Sequence, residues 1–238
     1  MSVLFGILIP FFGTILGASL VYVMKKQLNK KIEVIIYGFA AGVMMAALIW
    51  SLIIPAFNQS NIFTVIVGLV IGVVIFYLID FIIKRNNDLD TKWNNLMVAV
   101  TLHNIPEGMA VGVAFASYLA GGLSLASCYA LTIGIAIQNF PEGSVISFPL
   151  LKKGFSKNKA FKYGFISGIF ELLGTLITLL FTNFIVVILP YMLAIAAGAM
   201  MYVIVVELIP ESVDKSKLNV MGFLLGFIVM MVLDVMLG

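Results

Sequence analysis

Three stretches of this chain, residues 1–24, 34–79 and 172–206, contain no Asp, Glu, Lys or Arg. Apolar runs of that length are too long for strands, and without a polar face they cannot form the surface helices of a soluble bundle. A helix needs about 20 apolar residues, at ~1.5 Å each, to cross the ~30 Å hydrocarbon core of a bilayer. Each run supplies at least one such length. Composition agrees, because 62% of the 238 residues are apolar and 11% are charged, against roughly 25% charged in soluble domains. The expected fold class is all-α: a polytopic protein of the cell membrane, plasma or inner, that crosses it many times. The first stretch has neither the basic start nor the small-residue cleavage site of a secretory signal, so it reads as a retained span. The single cysteine, Cys128, excludes an internal disulfide and sits in an apolar stretch, as a core residue would.

Polar breaks divide the chain into eight spans, at about 3–24, 32–56, 62–84, 93–117, 122–150, 161–181, 184–209 and 218–237, forming one transmembrane domain over residues 1–238. The connections alternate in charge. Those after spans 1, 3, 5 and 7 hold Lys25, Lys26, Lys30 and Lys31; Lys84, Arg85 and Lys92; Lys152, Lys153, Lys157, Lys159 and Lys162; and Lys215 and Lys217, which are all 14 basic residues. Those after spans 2, 4 and 6 hold none. Lys and Arg in short loops stay cytoplasmic, so both termini are expected outside. The net charge of +3 therefore reports topology and gives no reason to expect a nucleic-acid partner.

Two internal matches follow. Ala40-Ala41-Gly42-Val43-Met44-Met45 in span 2 recurs 156 residues later as Ala196-Ala197-Gly198-Ala199-Met200-Met201 in span 7, and both spans end in Leu-Ile-Pro or Leu-Ile-Ile-Pro. Spans 4 and 5 share Asn-x-Pro-Glu-Gly at an offset of 35. Both pairs run in opposite directions through the membrane. That is the pattern of an inverted repeat, spans 1–3 against 6–8 around a central 4/5 pair, with interrupted helices near the midplane as in transporters.

Ionisable groups in hydrocarbon are costly, at least ~2.5–3.5 kcal/mol each at a helix centre, and mark function by default. Glu107, Glu142 and Glu171 lie mid-span with His103, the one histidine. His103, Asn104 and Glu107 share a helical face by their i, i+3 and i+4 spacing, and Gln138, Asn139 and Glu142 repeat the arrangement on span 5. Pro106 and Pro141 lack an N–H and free the carbonyls of Leu102 and Ile137. Three carboxylates in one cavity repel one another unless a cation or protons neutralise them. One imidazole, carboxylates, amide oxygens and a thioether available from Met44 suit Zn, Fe, Mn, Co or Cd, whereas Mg and Ca prefer all-oxygen sites. Bland readings stand beside these: His103 as a satisfied core residue, Glu171 as a proton carrier alone, Met44 as ordinary core. Asp80, Glu207, Glu211 and Asp214 fall near cytoplasmic ends, where solvated or Lys-paired caps are the default, and Asp234 is expected to reach the outer interface. A metalloenzyme would need a held metal, a base and an open water position, and no His-Glu-x-x-His pattern exists. The expected activity is therefore non-enzymatic, with a metal-selective channel as the nearest alternative to a carrier.

His103-Asn104-Ile105-Pro106-Glu107-Gly108, followed by Gln138-Asn139-Phe140-Pro141-Glu142-Gly143, resembles the paired motif of the ZIP (Zrt/Irt-like protein) family of divalent metal transporters. The resemblance covers nearly the whole chain. It implies a binuclear-type site on spans 4 and 5, with His103, Glu107, Gln138, Glu142 and Met44 at one metal position. Asn104, Glu107, Asn139, Glu142 and Glu171 fall at the other. It further implies that Glu207 and Glu211, on the cytoplasmic end of span 7, serve metal release together with Asp80. Departures are Gln138, where many members carry histidine, Asn139, near which others carry an aspartate, Val206, where the span 7 motif often begins with histidine, and a loop after span 3 that lacks the His-rich stretch of many eukaryotic members. The implied function is transport of zinc or a similar divalent cation into the cytoplasm. The cation is cargo and no prosthetic cofactor is implied. The small-residue faces Gly13–Gly17, Gly38–Gly42 and Gly68–Gly72 serve either the bundle or a homodimer.

Overall fold

The computed structural model describes residues 3–24, 30–85, 91–152, 154–213 and 217–237, with side chains described for these except 83–103, 152 and 237. The apolar runs become eight helices. Helix α1 (Val3–Ser19, closed by a 3₁₀ turn at Leu20–Tyr22) leads to α2 (Lys30–Asn58), α3 (Ile62–Arg85) and α4 (Thr91–Leu119). These are followed by α5 (Leu125–Lys152), α6 (Lys157–Leu180), α7 (Thr182–Ser212) and α8 (Leu218–Leu237). Among the described residues there is no strand. Helices α1, α2, α3, α6, α7 and α8 are long and apolar enough to cross a membrane. With 29 and 28 residues, α4 and α5 are also long enough, but the Asn-x-Pro-Glu-Gly segments dilute their apolarity. The chain is a multi-pass membrane protein. Gly121 and Gly154 take φ of +81° and +92° in the turns before α5 and α6, the left-handed region that a Cβ disfavours. Ser156 then caps α6 by accepting from the Lys159 backbone N–H.

Proline leaves a different mark on different helices. Helices α4 and α5 continue through Pro106 and Pro141 without leaving helical geometry. Helices α2 and α7 instead widen into a π-turn just before their prolines, over Leu48–Ile53 and Ile204–Leu208. There the N–H of Ile54 reaches back five residues to Ile49, and that of Ile209 to Ile204. The widening carries the chain past the carbonyls that Pro55 and Pro210 would otherwise strike. The two π-turns occupy matching places in the 156-residue repeat, so the sequence match is also a match of backbone shape.

The most extensive helix pairs are α2 with α8, α1 with α5, α4 with α6, and α3 with α7. Exchanging 1 with 6, 2 with 7, 3 with 8 and 4 with 5 maps this set onto itself, as the inverted repeat requires. Each pair is drawn together by glycine. A Cβ on Gly17 or Gly143 would overlap α1–α5 backbone, one on Gly108 or Gly174 would overlap α4–α6 backbone, and Gly42, Gly226, Gly72 and Gly198 do the same for α2–α8 and α3–α7. Without a hydrophobic force between helices in lipid, close backbone approach supplies the packing energy. The glycine stripes named from the sequence are therefore used inside the bundle. The contacts group α1, α4, α5 and α6 into one body and α2, α3, α7 and α8 into another. The border between them is filled by larger apolar side chains, including Met44, Leu48, Met109, Ile146, Leu193 and Met200.

The expectations about Asp80, Glu207 and Asp234 need correction. Asp80 and Glu207 are 6% and 7% exposed, so of the two expected arrangements, solvated or Lys-paired caps, the solvated one is ruled out for both, and the Tyr202 hydroxyl donates to Asp80 at 2.8 Å. Asp234 is partly buried and accepts from Ser51 Oγ at 3.0 Å, so it turns into the bundle and not out to the interface. Burying carboxylates requires donors, which Tyr202 provides for Asp80 and Ser51 for Asp234. Lys25, Lys26, Lys153, Asp214 and Lys215, and the side chains of Lys84, Arg85, Lys92 and Lys152, lie outside the described residues.

Candidate metal centre

Helices α4, α5 and α6 carry the polar residues to one level of the bundle. Asn104 and Glu107 on α4, Gln138, Asn139 and Glu142 on α5, and Glu171 on α6 are all 0–2% exposed. Gln138 Nε2 donates to Glu107 Oε1 at 2.7 Å, tying α5 to α4. Asn139 Nδ2 donates to Glu171 Oε2 at 2.8 Å, tying α5 to α6, and lies 3.4 Å from the carbonyl of Pro10 on α1. Asn104 Nδ2 donates to the carbonyl and hydroxyl of Ser167 on α6 at 3.3 and 3.1 Å. Glu142 is near enough to Glu171 for their charges to interact. Every helix of the first body thus contributes to one group.

The amide nitrogens are spoken for by carboxylates and carbonyls, and this fixes where the amide oxygens lie. Asn104 Oδ1, Asn139 Oδ1 and Glu171 Oε1 are buried and accept no hydrogen bond. Buried acceptors without donors are unfavourable, at ~1–3 kcal/mol each, unless a proton donor or a cation meets them. Oxygens of this kind fit a divalent cation as cargo. Among the described residues, however, no three His, Cys, Asp or Glu side chains converge as a metal cage. The described part of the group is amide-rich, with Gln138 and Asn139 each laid across a carboxylate and Asn104 across Ser167. His103 lies on α4 one turn before Glu107, and its side chain is outside the described residues. Met44 is fully buried in the apolar core that includes Ile105, Met109 and Val145. Asp80 and Glu207 are buried towards the end of the bundle assigned to the cytoplasm, and Glu211 is half-buried beyond the π-turn of α7.

Sequence reasoning missed the hydroxyls. Ser51, in the π-turn of α2, donates to Asp234 Oδ1 at 3.0 Å with its Oγ also 3.3 Å from Gln138 Oε1, and so links the second body to the centre. Ser167 supports Asn104. One signal was available, because Ser51 falls at the position of Glu207 in the 156-residue repeat.

Comparison with known proteins decides the family. The family model described as ZIP zinc transporter matches residues 87–234, which include both motifs and Glu171. The chain belongs to this family. Zinc transporter ZIP11 of Homo sapiens is 31% identical, over 94% of this chain and 94% of its own length. Zinc transporter ZIPB of Bordetella bronchiseptica is 31% identical over 96% of this chain and 79% of its own. Zinc transporter GufA of Myxococcus xanthus is 38% identical over 62% and 58%. The likeness to ZIP11 and ZIPB thus extends over nearly the whole chain, including the helices α1, α2 and α3 that precede the region the family model matches.

Proposed function

We propose that this ZIP protein carries zinc, or a related divalent cation such as Fe, Mn, Co or Cd, through the membrane into the cytoplasm, and that it is not an enzyme. The observation that carries the reading is the buried amide–carboxylate group on α4, α5 and α6, with acceptor oxygens that lack donors. The names of the relatives point to zinc among the candidate metals. In this reading His103, Glu107, Gln138, Glu142 and Met44 hold one metal position. Asn104, Glu107, Asn139, Glu142 and Glu171 hold the other, and Asp80, Glu207 and Glu211 receive the ion on the cytoplasmic side.

The mechanism follows from the division into two bodies. Every residue of the centre except Ser51 and Met44 belongs to the first body, so the centre moves as a unit when that body shifts against the second. Sliding or rocking across the Leu- and Met-filled border opens the site alternately to each side. As metal leaves, protons taken up by Glu107, Glu142 and Glu171 keep three buried carboxylates from facing one another charged. The partners in this reading are divalent cations and the lipid bilayer. A homodimer would meet through lipid-facing side chains, such as Phe63, Ile66 and Val70 of α3, and not through the glycine stripes.

The test is uptake of radioactive zinc into proteoliposomes. Glu142→Ala is expected to insert normally and to reduce uptake by at least about tenfold, the lower end for losing a metal ligand or its immediate partner. Uptake at the wild-type rate would remove Glu142 from the site. Saturable flux without single-channel conductance separates a carrier from a channel.

A further inference from the structure

Helix α1 stands to α5 as α6 stands to α4, and the correspondence holds contact by contact. Gly143 of α5 packs on the Thr14 carbonyl and the Ala18 amide; Gly108 of α4 packs on the Glu171 carbonyl and the Thr175 amide. Gly17 packs on the backbone of Phe140, and Gly174 on that of Ile105. Asn139 reaches the Pro10 carbonyl, and Asn104 reaches the Ser167 carbonyl. Every one of these matches has the same offsets, 35 residues between α4 and α5 and 157 between α1 and α6. That register places Thr14 where the other half has Glu171.

Thr14 has no exposed surface, and its hydroxyl has no hydrogen-bond partner. Threonines inside helices commonly bond the carbonyl four residues back, as Thr175 and Thr178 do on α6. Thr14 does not. Burying a hydroxyl unmet is unfavourable, so the orientation calls for a ligand. The pseudo-two-fold operation identifies where that ligand sits. It maps the Asn139–Glu171 pair onto Asn104 and Thr14; Asn104 Nδ2 is taken up by Ser167, while Asn104 Oδ1, like the Thr14 hydroxyl, is buried without a partner. A threonine hydroxyl stops two bonds short of a glutamate carboxylate, so it does not reach the amide as Glu171 does, and Thr14 Oγ1 is left without a partner.

We propose that Thr14 Oγ1 is a further oxygen donor to the transported divalent cation, directly or through one water, on the Asn104 side of the centre. The inference rests on the transport reading above. It gives α1 a direct role in binding, as the weak counterpart of α6. It also accounts for the lopsided centre, with carboxylate chemistry on one flank and a neutral hydroxyl on the other, where a hard oxygen suits a partly hydrated ion.

The experiment compares wild type, Glu142→Ala, Thr14→Val and Thr14→Ser in zinc uptake and in thermal unfolding with and without zinc. Wild-type uptake by Glu142→Ala overturns the site reading itself, whatever Thr14 does. With Glu142→Ala inactive, Thr14→Val, which keeps shape and removes only the hydroxyl, is expected to raise KM about tenfold, the scale of one lost hydrogen bond or ligand to a charged group. It should also shrink the zinc-induced rise in Tm. Its metal-free Tm should equal or exceed that of wild type, because an unmet hydroxyl is gone, and Thr14→Ser should restore KM and the zinc response. The proposal is overturned if Thr14→Val keeps the wild-type KM and zinc-induced shift. It is equally overturned if Thr14→Ser, which retains the hydroxyl, loses the zinc response as far as Thr14→Val does. Thr14→Ala serves the same comparison if the valine variant does not insert.

Discussion

Gln138 and Asn139 are neighbours with chemically equivalent amides, yet they reach opposite ways, Gln138 to Glu107 on α4 and Asn139 to Glu171 on α6. Their 100° separation on the helix surface makes α5 the bridge between two carboxylates. Replacing Asn139 with Asp changes one atom type and inverts the electrostatics, because the donor to Glu171 becomes a like charge in a buried site. Asn139→Asp is expected to lower the metal-free Tm by several degrees, at about 2–4 °C per kcal/mol for a chain of this size. Its zinc-induced stabilisation should exceed that of wild type, since a divalent cation relieves the repulsion. Thermal unfolding in detergent at matched zinc concentrations reads both; equal zinc shifts would remove Asn139 from the binding group. The acidic and amide residues were visible in the sequence because each is expensive in hydrocarbon and the motif occurs twice. Ser51, Ser167 and Thr14 were not, since a hydroxyl can hide in its own helix by bonding a backbone carbonyl, and its presence in a span signals nothing. Asp234 was misplaced for a related reason: nearness to the chain end says nothing of a Ser51 that holds it inside.

At the scale of helices, glycine position decides what a substitution does. Gly108→Ala puts a methyl into the Glu171 carbonyl and forces α4 away from α6, whereas a Cβ on Gly134 of α5 meets nothing within 4 Å. The first is expected to destabilise by about 1–3 kcal/mol through overpacking. The second should be neutral or stabilising, by up to about 1 kcal/mol from helix propensity. Chemical denaturation of the two variants side by side checks this, and similar losses for both would contradict the packing scheme. The spans themselves were legible because apolar length is a one-dimensional property. The π-turns were not. Pro55 and Pro210 announce a disturbance, but α4 and α5 absorb their prolines without widening, and a residue count does not reveal which response a helix makes.

For the whole molecule, the eight helices and the alternating basic loops predict an orientation that labelling can read. In a Cys128→Ala background, a cysteine at Gly121 is expected to react with a membrane-impermeant maleimide on intact cells. One at Gly154 should react only after permeabilisation; the reverse pattern would invert the assigned topology. Charge asymmetry predicts the crossing pattern that this labelling tests, and the 156- and 35-residue offsets made the symmetry readable. Which helices are neighbours was not readable, because a helix that is apolar all round has no preferred face in a hydropathy pattern. The partner assignment comes from the close glycine contacts, which depend on two backbones meeting in space. Those contacts divide the molecule by kind of surface. Glycine against a carbonyl fits at a single depth and register, so each body has one shape. Between the bodies, Leu, Ile and Met have free rotors and can mesh in more than one alignment. A chain whose halves are each locked by glycine against backbone is thereby tolerant along the seam where the halves meet, and that seam is where a carrier must be able to hold two shapes in turn.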